Sequence, residues 1–289
     1  MIISIEDYQQ TFVPRTVFDS APFLRLNAGK VAEVAVVAAH GLALALGSDA
    51  ETHMWKAPFS APFAMPAGAG DYDAFAREIV GFADGNLQIV VPPPFHADAE
   101  RWIEALDNQG LVREDNYNYH YPLERLDNPK GFMSKDVKRN YNHALRQGFT
   151  LQLASDGTRA YDFIADHHRK LGYRMAMTSE QVLATTQVAD IDFFECRLDD
   201  QLVGAAIFYH VAPGVVQLIN WGDELSMRNK HITNYIAFRA FEHYREIGMK
   251  VVDLGPASVD GIKNEGLVRF KLAIGCVETL KPTFYASKH

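Results

Sequence analysis

Lys250-Val-Val-Asp-Leu-Gly255 and, further on, Glu265-Gly-Leu-Val-Arg-Phe-Lys271 form the stretch on which the fold turns. The first is an apolar run with one carboxylate, stopped by Gly255-Pro256, as in a short buried strand. The second sets Leu267, Val268, Leu272 and Ile274 around a lysine at helical spacing. Upstream, Leu202–Val211 and Val215–Trp221 read as a strand pair and His231–Ile247 as a helix; downstream, Val277–Tyr285 reads as a last strand. Working further back, Phe149–Ala154 is a strand and Ala160–Leu171 a helix. A short helix follows Thr178, whose partner Gln181 completes a capping box. With the strand Ile191–Leu198, the order becomes β-α-α-β-β-β-α-β-α-β, a mixed α/β (α+β) block.

The first half shows the same order in weaker form. Lys30–Gly47 reads as a hairpin about His40-Gly41, and Met54–Gly70, rich in Pro, Ala and Gly, as a loop long enough to be functional or mobile. Asp71 caps a helix that carries Phe75, Ile79 and Phe82 and closes at Gly85. Then come the strand Leu87–Val91, a helix over Ala97–Leu106 and a strand over Leu111–Tyr121. Set against the last third, hairpin 30–47 answers hairpin 202–221 and helix 72–84 answers helix 231–247. The strands after Gly85 and Gly248 correspond, as do the final helix and strand, at an offset of roughly 160 to 170 residues. The expectation is a topological duplication: a degenerate domain over 1–130, a linking helix over 131–148 and a second domain over 149–289. The linking helix, Ser134–Gln147, sets Met133, Val137, Tyr141 and Leu145 on one face. Lys135, Lys138, Arg139, Asn142 and Arg146 lie on the other, as a solvated face or as a seat for an anionic substrate.

Length and composition fit that division. A chain of 289 residues with 48% hydrophobic and 22% charged residues can build two cores of ordinary size. A net charge of −8 argues against a surface that grips nucleic acid everywhere and leaves room for a local basic patch. Cys196 and Cys276 have neither metal nor redox spacing, and buried reduced thiols in a cytoplasmic protein are expected. Met1–Asp7 lacks the basic flank of a signal peptide, and the longest apolar run, Val31–Leu46, is broken by Glu33, His40 and Gly41. No membrane insertion is expected, and no motif points to a metal or to a serine hydrolase. His167 and His168 are adjacent on a helix and should diverge.

Three segments carry a family resemblance. Ser134-Lys-Asp-Val-Lys-Arg-Asn-Tyr-Asn-His-Ala-Leu-Arg-Gln-Gly148 resembles the interdomain helix of the FemAB-like group, in which two GNAT-like domains lie in tandem. Val251-Val-Asp-Leu-Gly255 is similar to that group's strand end, and Gly266-Leu-Val-Arg-Phe-Lys-Leu-Ala-Ile-Gly275 resembles its glycine-to-Phe-Lys signature. The resemblance implies two mixed, mostly antiparallel sheets flanked by helices in a bacterial acyltransferase. Coenzyme A-dependent members hold pyrophosphate on a glycine-rich turn before the central helix. Here Leu225–Asn234 has no glycine, and Arg228, Lys230 and His231 are the candidates to hold phosphate. The donor is then aminoacyl-tRNA, as in the FemAB-like peptidoglycan enzymes, or an acyl-CoA. The acceptor is an amine on a small molecule or peptide, with a cell-wall peptide precursor as one candidate.

Acyl transfer to an amine needs a deprotonated nucleophile, a stabilised oxyanion and a protonated leaving group. Strands 215–221 and 250–254 are expected to part and leave backbone donors, with Asn220, Trp221 and Asp253 at the mouth of an interdomain cleft. Phe270 belongs beside them, and Lys138 and Arg139 are candidates to bind substrate. Lys271 either snorkels to solvent or is held for a purpose; the resemblance places its ammonium at the reacting centre. Lys271→Met should then abolish transfer and leave the fold intact. Tyr285 donates a proton or simply packs, and Asp253 takes the amine proton or caps the Gly255-Pro256 turn. Tyr117, Tyr119 and Tyr121 share one strand face, for packing or for binding. A non-catalytic binding module with the same fold is the reading from a different class.

Overall fold

The computed structural model describes residues 1–259 and 261–287. The chain forms two compact units and crosses between them four times, inside strands after Asn118 and Glu278 and between elements after Ala257 and Lys263. Residues 1–118, 258–263 and 279 onward form the first; residues 119–257 and 264–278 form the second.

In the first unit, strand β1 (Ile2–Ile3) and helices α1 (Ile5–Thr11) and α2 (Ala21–Asn27) precede the hairpin of β2 (Glu33–Ala39) and β3 (Leu42–Ser48). His40 and Gly41, both at positive φ, make its turn. The Met54–Gly70 segment is not a free loop. It contains strands β4 (Trp55–Ala57) and β5 (Ala67–Gly68), and Phe63, Ala64 and Met65 are buried. Helix α3 (Tyr72–Phe82), capped by the Asp71 side chain, leads to β6 (Asn86–Val90), and α4 (Ala99–Asp107) to β7 (Val112–Pro122). Strands β1 to β4 run antiparallel in sequence; β4 and β6 are parallel, with Trp55, Lys56 and Ala57 opposite Leu87, Gln88 and Ile89. Phe75 and Ile79 of α3 and Trp102 of α4 bury against Leu87 and Ile89, so helices and sheet share one core.

In the second unit, α5 (Pro129–Phe132) and α6 (Lys135–Ala144) come before β8 (Phe149–Leu153), α7 (Thr158–Lys170) and α8 (Ser179–Thr185). Strands β9 (Ile191–Leu198), β10 (Gln201–Ala212) and β11 (Val215–Asp223) extend the antiparallel run from β8. Helix α9 (Ile232–Glu246) then returns the chain to β12 (Val251–Pro256), which is parallel to β11. Ile236, Phe238, Phe241 and Tyr244 are all buried, so α9 is covered on more than one side. On α6, Val137 and Ala144 are buried while Leu145 is 48% exposed; the apolar stripe ends one residue before the sequence pattern does.

After β12 come the small hairpin β13 (Ser258–Val259) and β14 (Ile262–Lys263), helix α10 (Glu265–Ala273) and strand β15 (Val277–Ser287). The later part of β15 belongs to the first unit, where Thr283–Ser287 pairs antiparallel with Val90–Asn86. Each unit is therefore an antiparallel run that ends in one parallel pair joined over a helix: β4-α3-β6 in the first, β11-α9-β12 in the second. This corrects the alignment of the repeat. Hairpin β2-β3 answers β9-β10, not β10-β11, and the strand that answers β11 is the three-residue β4.

Candidate active site

The parallel pairing of β11 with β12 runs from Val215–Val251 to Gln217–Asp253 and stops there. On its other side β11 gains an extra residue, Ile219, between the partners of Ile207 and Phe208, and such a bulge bends a strand. The strand ends part, and between them lies a cleft of about 290 Å³. Leu218, Ile219, Asn220 and Trp221 form one wall and Leu254 and Pro256 the other, with Leu267 and Lys271 of α10 and His167, His168 and Tyr173 completing it.

Carbonyl groups beyond the last ladder pair need donors. Lys271 supplies them. Its Nζ donates to the carbonyls of Leu254 (2.8 Å), Gly255 (2.9 Å) and Pro256 (3.0 Å), and the residue is 3% exposed. The snorkelling alternative is thereby ruled out. Burial pulls this ammonium down to about 8, with Asp253 opposing the shift, so at neutral pH it keeps its proton and its three donors. Its charge also lies over the Tyr119 ring, 5.6 Å from the centroid.

Asp253 is placed differently from the expectation. It is 1% exposed and does not line the cleft; its Oδ1 accepts from the Gly255 amide (2.9 Å) and its Oδ2 from Gln217 (3.1 Å). The carboxylate caps the turn at Gly255, where φ is +73°. Tyr285 lies in the first unit, half-buried and in register with Gln88. Tyr119 and Tyr121 are fully buried, and Tyr121 stacks on Phe241, so those aromatics pack.

A second basin of about 330 Å³ shares His167, Trp221 and Leu267 with the first. Its other walls are Gly222, Asp223, Arg228, His231, Thr233, Asn234 and Phe270, and Trp221 meets Phe270 edge-on at 5.7 Å. Residues Leu225–Lys230 make a 3-10 turn, and His231, at φ 60°, takes the left-handed N-cap position before α9. That is a conformation glycine adopts most cheaply. Thr233 and Asn234 in the first turn of α9 therefore line a basin that also holds Arg228 and His231, an arrangement suited to phosphate. Asn234, 7% exposed, keeps its Nδ2 without a partner. Burial, then the neighbouring His143 and Arg139, hold His231 below the usual histidine range.

Lys230 does not line this basin, nor do Lys135, Lys138, Arg139 and Arg146 line either one. Arg139 is exposed and pairs with Asp136. Both basins are built from second-unit residues alone, so neither is the interdomain cleft expected above. The histidine pair does not diverge: the rings lie 5.9 Å apart and reach carbonyls two residues apart on β11, His167 to Asp223 and His168 to Trp221. Alternate carbonyls of a strand point the same way, a relation that helix spacing alone does not reveal. Among the described residues no helix is long and apolar enough to cross a membrane, and no cluster of histidine, cysteine or carboxylate could hold a metal. Cys196 and Cys276 are buried and unpaired.

No family model and no curated protein sequence matches the chain. Solved structures do. The structure of FemX superposes with a TM-score of 0.68 at 10% identity, over 99% of this chain and 96% of that one. L-PGS from Bacillus licheniformis gives 0.65 at 12% identity, over 97% and 90%. A tandem GNAT protein from the clavulanic acid biosynthesis pathway gives 0.52 at 12%, over 96% and 90%. At these identities the likeness is one of fold.

Proposed function

We propose that this chain, a tandem GNAT protein of FemAB-like fold, is an N-acyltransferase that moves an acyl or aminoacyl group onto an amine. The observation that carries this is the parted end of β11 and β12, where an apolar-walled cleft with a buried ammonium opens beside a basin suited to phosphate. The phosphates of the donor sit against Arg228, His231 and the start of α9. The reacting carbonyl reaches past Trp221 into the cleft, and the acceptor amine enters on the side of Tyr173. Aminoacyl-tRNA is the first donor to test, since the turn before α9 lacks glycine, and a cell-wall peptide precursor is the first acceptor. Backbone N–H groups freed where the strands part offset charge on the carbonyl oxygen, a contribution of roughly 3 kcal/mol per well-aimed donor. Lys271 keeps the β12 wall in place and adds positive charge beside it.

Calorimetric titration with acetyl-CoA, alongside transfer assays from charged tRNA, tests the assignment. Transfer from aminoacyl-tRNA that Trp221→Ala weakens is the expected result. Micromolar binding of acetyl-CoA with acetyl transfer would name the other donor, which the arginine and histidine before α9 equally suit. No binding or transfer with either would defeat the proposal and favour a non-catalytic binding module.

A further inference from the structure

The far end of β11 holds a polar arrangement centred on His167. His167, on α7, has its side chain 11% exposed, and its Nδ1 lies 2.7 Å from the Asp223 main-chain oxygen. That oxygen can only accept, while the Asp223 amide points its N–H at the same nitrogen from 3.3 Å; the shorter contact favours the neutral ring with its proton on Nδ1. The Asp223 carboxylate approaches the same nitrogen at 3.6 Å, and its other oxygen accepts from the Thr233 hydroxyl at 2.9 Å. Asp223 of β11 thus orients the imidazole, and Thr233, in the first turn of α9, orients the Asp223 carboxylate.

The lone pair is left on Nε2. Among the described residues no protein group bonds to that atom, and it is not sealed from solvent. His167 is one of three residues shared by the two basins, so it stands where a donor carbonyl and an incoming amine would meet. Gly222 makes room for it, since a Cβ at that position would come within 3.0 Å of His167 Cβ and Cγ. His168 offers no equivalent: its Nε2 faces the Trp221 oxygen at 3.3 Å and its Nδ1 is buried without a partner.

We propose that His167 Nε2 is the general base of this site, with Asp223 and Thr233 as positioning residues; this rests on the acyl-transfer function proposed above. The amine nitrogen bonds to the donor carbonyl carbon, and the carbonyl π pair moves onto oxygen. Nε2 takes one proton from that nitrogen, and the Asp223 carboxylate steadies the imidazolium. The C=O bond then re-forms, the bond to the donor's sulfur or ribose oxygen breaks, and the leaving atom takes the proton from Nε2. The products are an amide and a free thiol or hydroxyl, with the imidazole neutral again.

Two measurements test this. Nitrogen-15 spectra of the wild-type protein, with the His167 ring assigned through bonds, should show the Nδ1–H tautomer; an Nε2–H tautomer overturns the proposal. Transfer is then followed with acetyl-CoA or alanyl-tRNA as donor and spermidine or a lysine-containing peptide as amine probe. His167→Gln should lower kcat by about 10²- to 10⁴-fold, and added imidazole should restore part of the rate in His167→Gly. A His167→Gln rate within about threefold of wild type, or a slow His167→Gly that imidazole does not speed, overturns the base and leaves acyl transfer standing. A wild-type protein that turns over neither donor overturns acyl transfer, and the base with it.

Discussion

An ammonium that spends its donors on three successive main-chain carbonyls is holding backbone, whatever it also does to a substrate. Lys271→Met would leave the carbonyls of Leu254, Gly255 and Pro256 without that donor, the first two in a buried setting. The fold-neutral outcome expected from sequence is therefore revised. The variant should lose about 3 to 5 kcal/mol in urea unfolding as well as its activity. What the sequence displays is a lysine on an apolar helix face, which leaves snorkelling and burial equally open. Its partners lie fifteen to seventeen residues upstream, around a turn set by Asp253 and Gly255, and no periodicity reports that closure. Asp253 shows the converse. Its place at a buried strand end is legible, but its engagement by Gln217 depends on the pairing of β11 with β12.

Among the elements, those with strong local signals lie where the pattern put them: the Thr178 capping box, the Asp71 cap, the strand Ile191–Leu198 and helix α9. Several of the shortest elements carry no such signal, and the one that matters for the repeat is β4. Three residues cannot show alternation, and Pro58 directly after them reads as loop. Missing it displaced the repeat by one strand. At α9 the unusual feature is a histidine in the left-handed region at the N-cap. His231→Gly removes the steric cost there but loosens the unfolded chain, so the melting temperature should move by no more than the equivalent of about 1 kcal/mol. Loss of the imidazole should weaken donor binding several-fold in calorimetry, because it is one of the side chains that line the phosphate-side basin.

Over the whole molecule, the two units are not two consecutive lengths of chain. The last strand of the first half passes into the second unit from Tyr119, and β15 pairs with β6 of the first. Residues 149–289 expressed alone should therefore give little cooperative unfolding by circular dichroism, and co-expression with 1–148 should restore it. Stability should also carry a histidine signature. His120 is 8% exposed, and burial, with Arg125 adding to it, lowers its pKa from 6.5 to about 4. The unfolded chain then binds the proton more readily, so this contribution is complete above pH 6.5 and is lost as pH falls toward 4. Between pH 7.5 and 4.5 the wild type should lose about 2 to 3 kcal/mol more than His120→Gln in urea unfolding. The first unit, finally, repeats the parting of parallel strands after Ala57 and Ile89, but there the next carbonyl, Val90, accepts from the Ala64 amide at 3.0 Å, and Phe63 and Met65 are buried beside it. Where the second unit uses an ammonium and keeps a chamber, the first has stoppered its own with main chain. Saturation should accordingly come at a single equivalent of donor per polypeptide, however closely the halves match in topology.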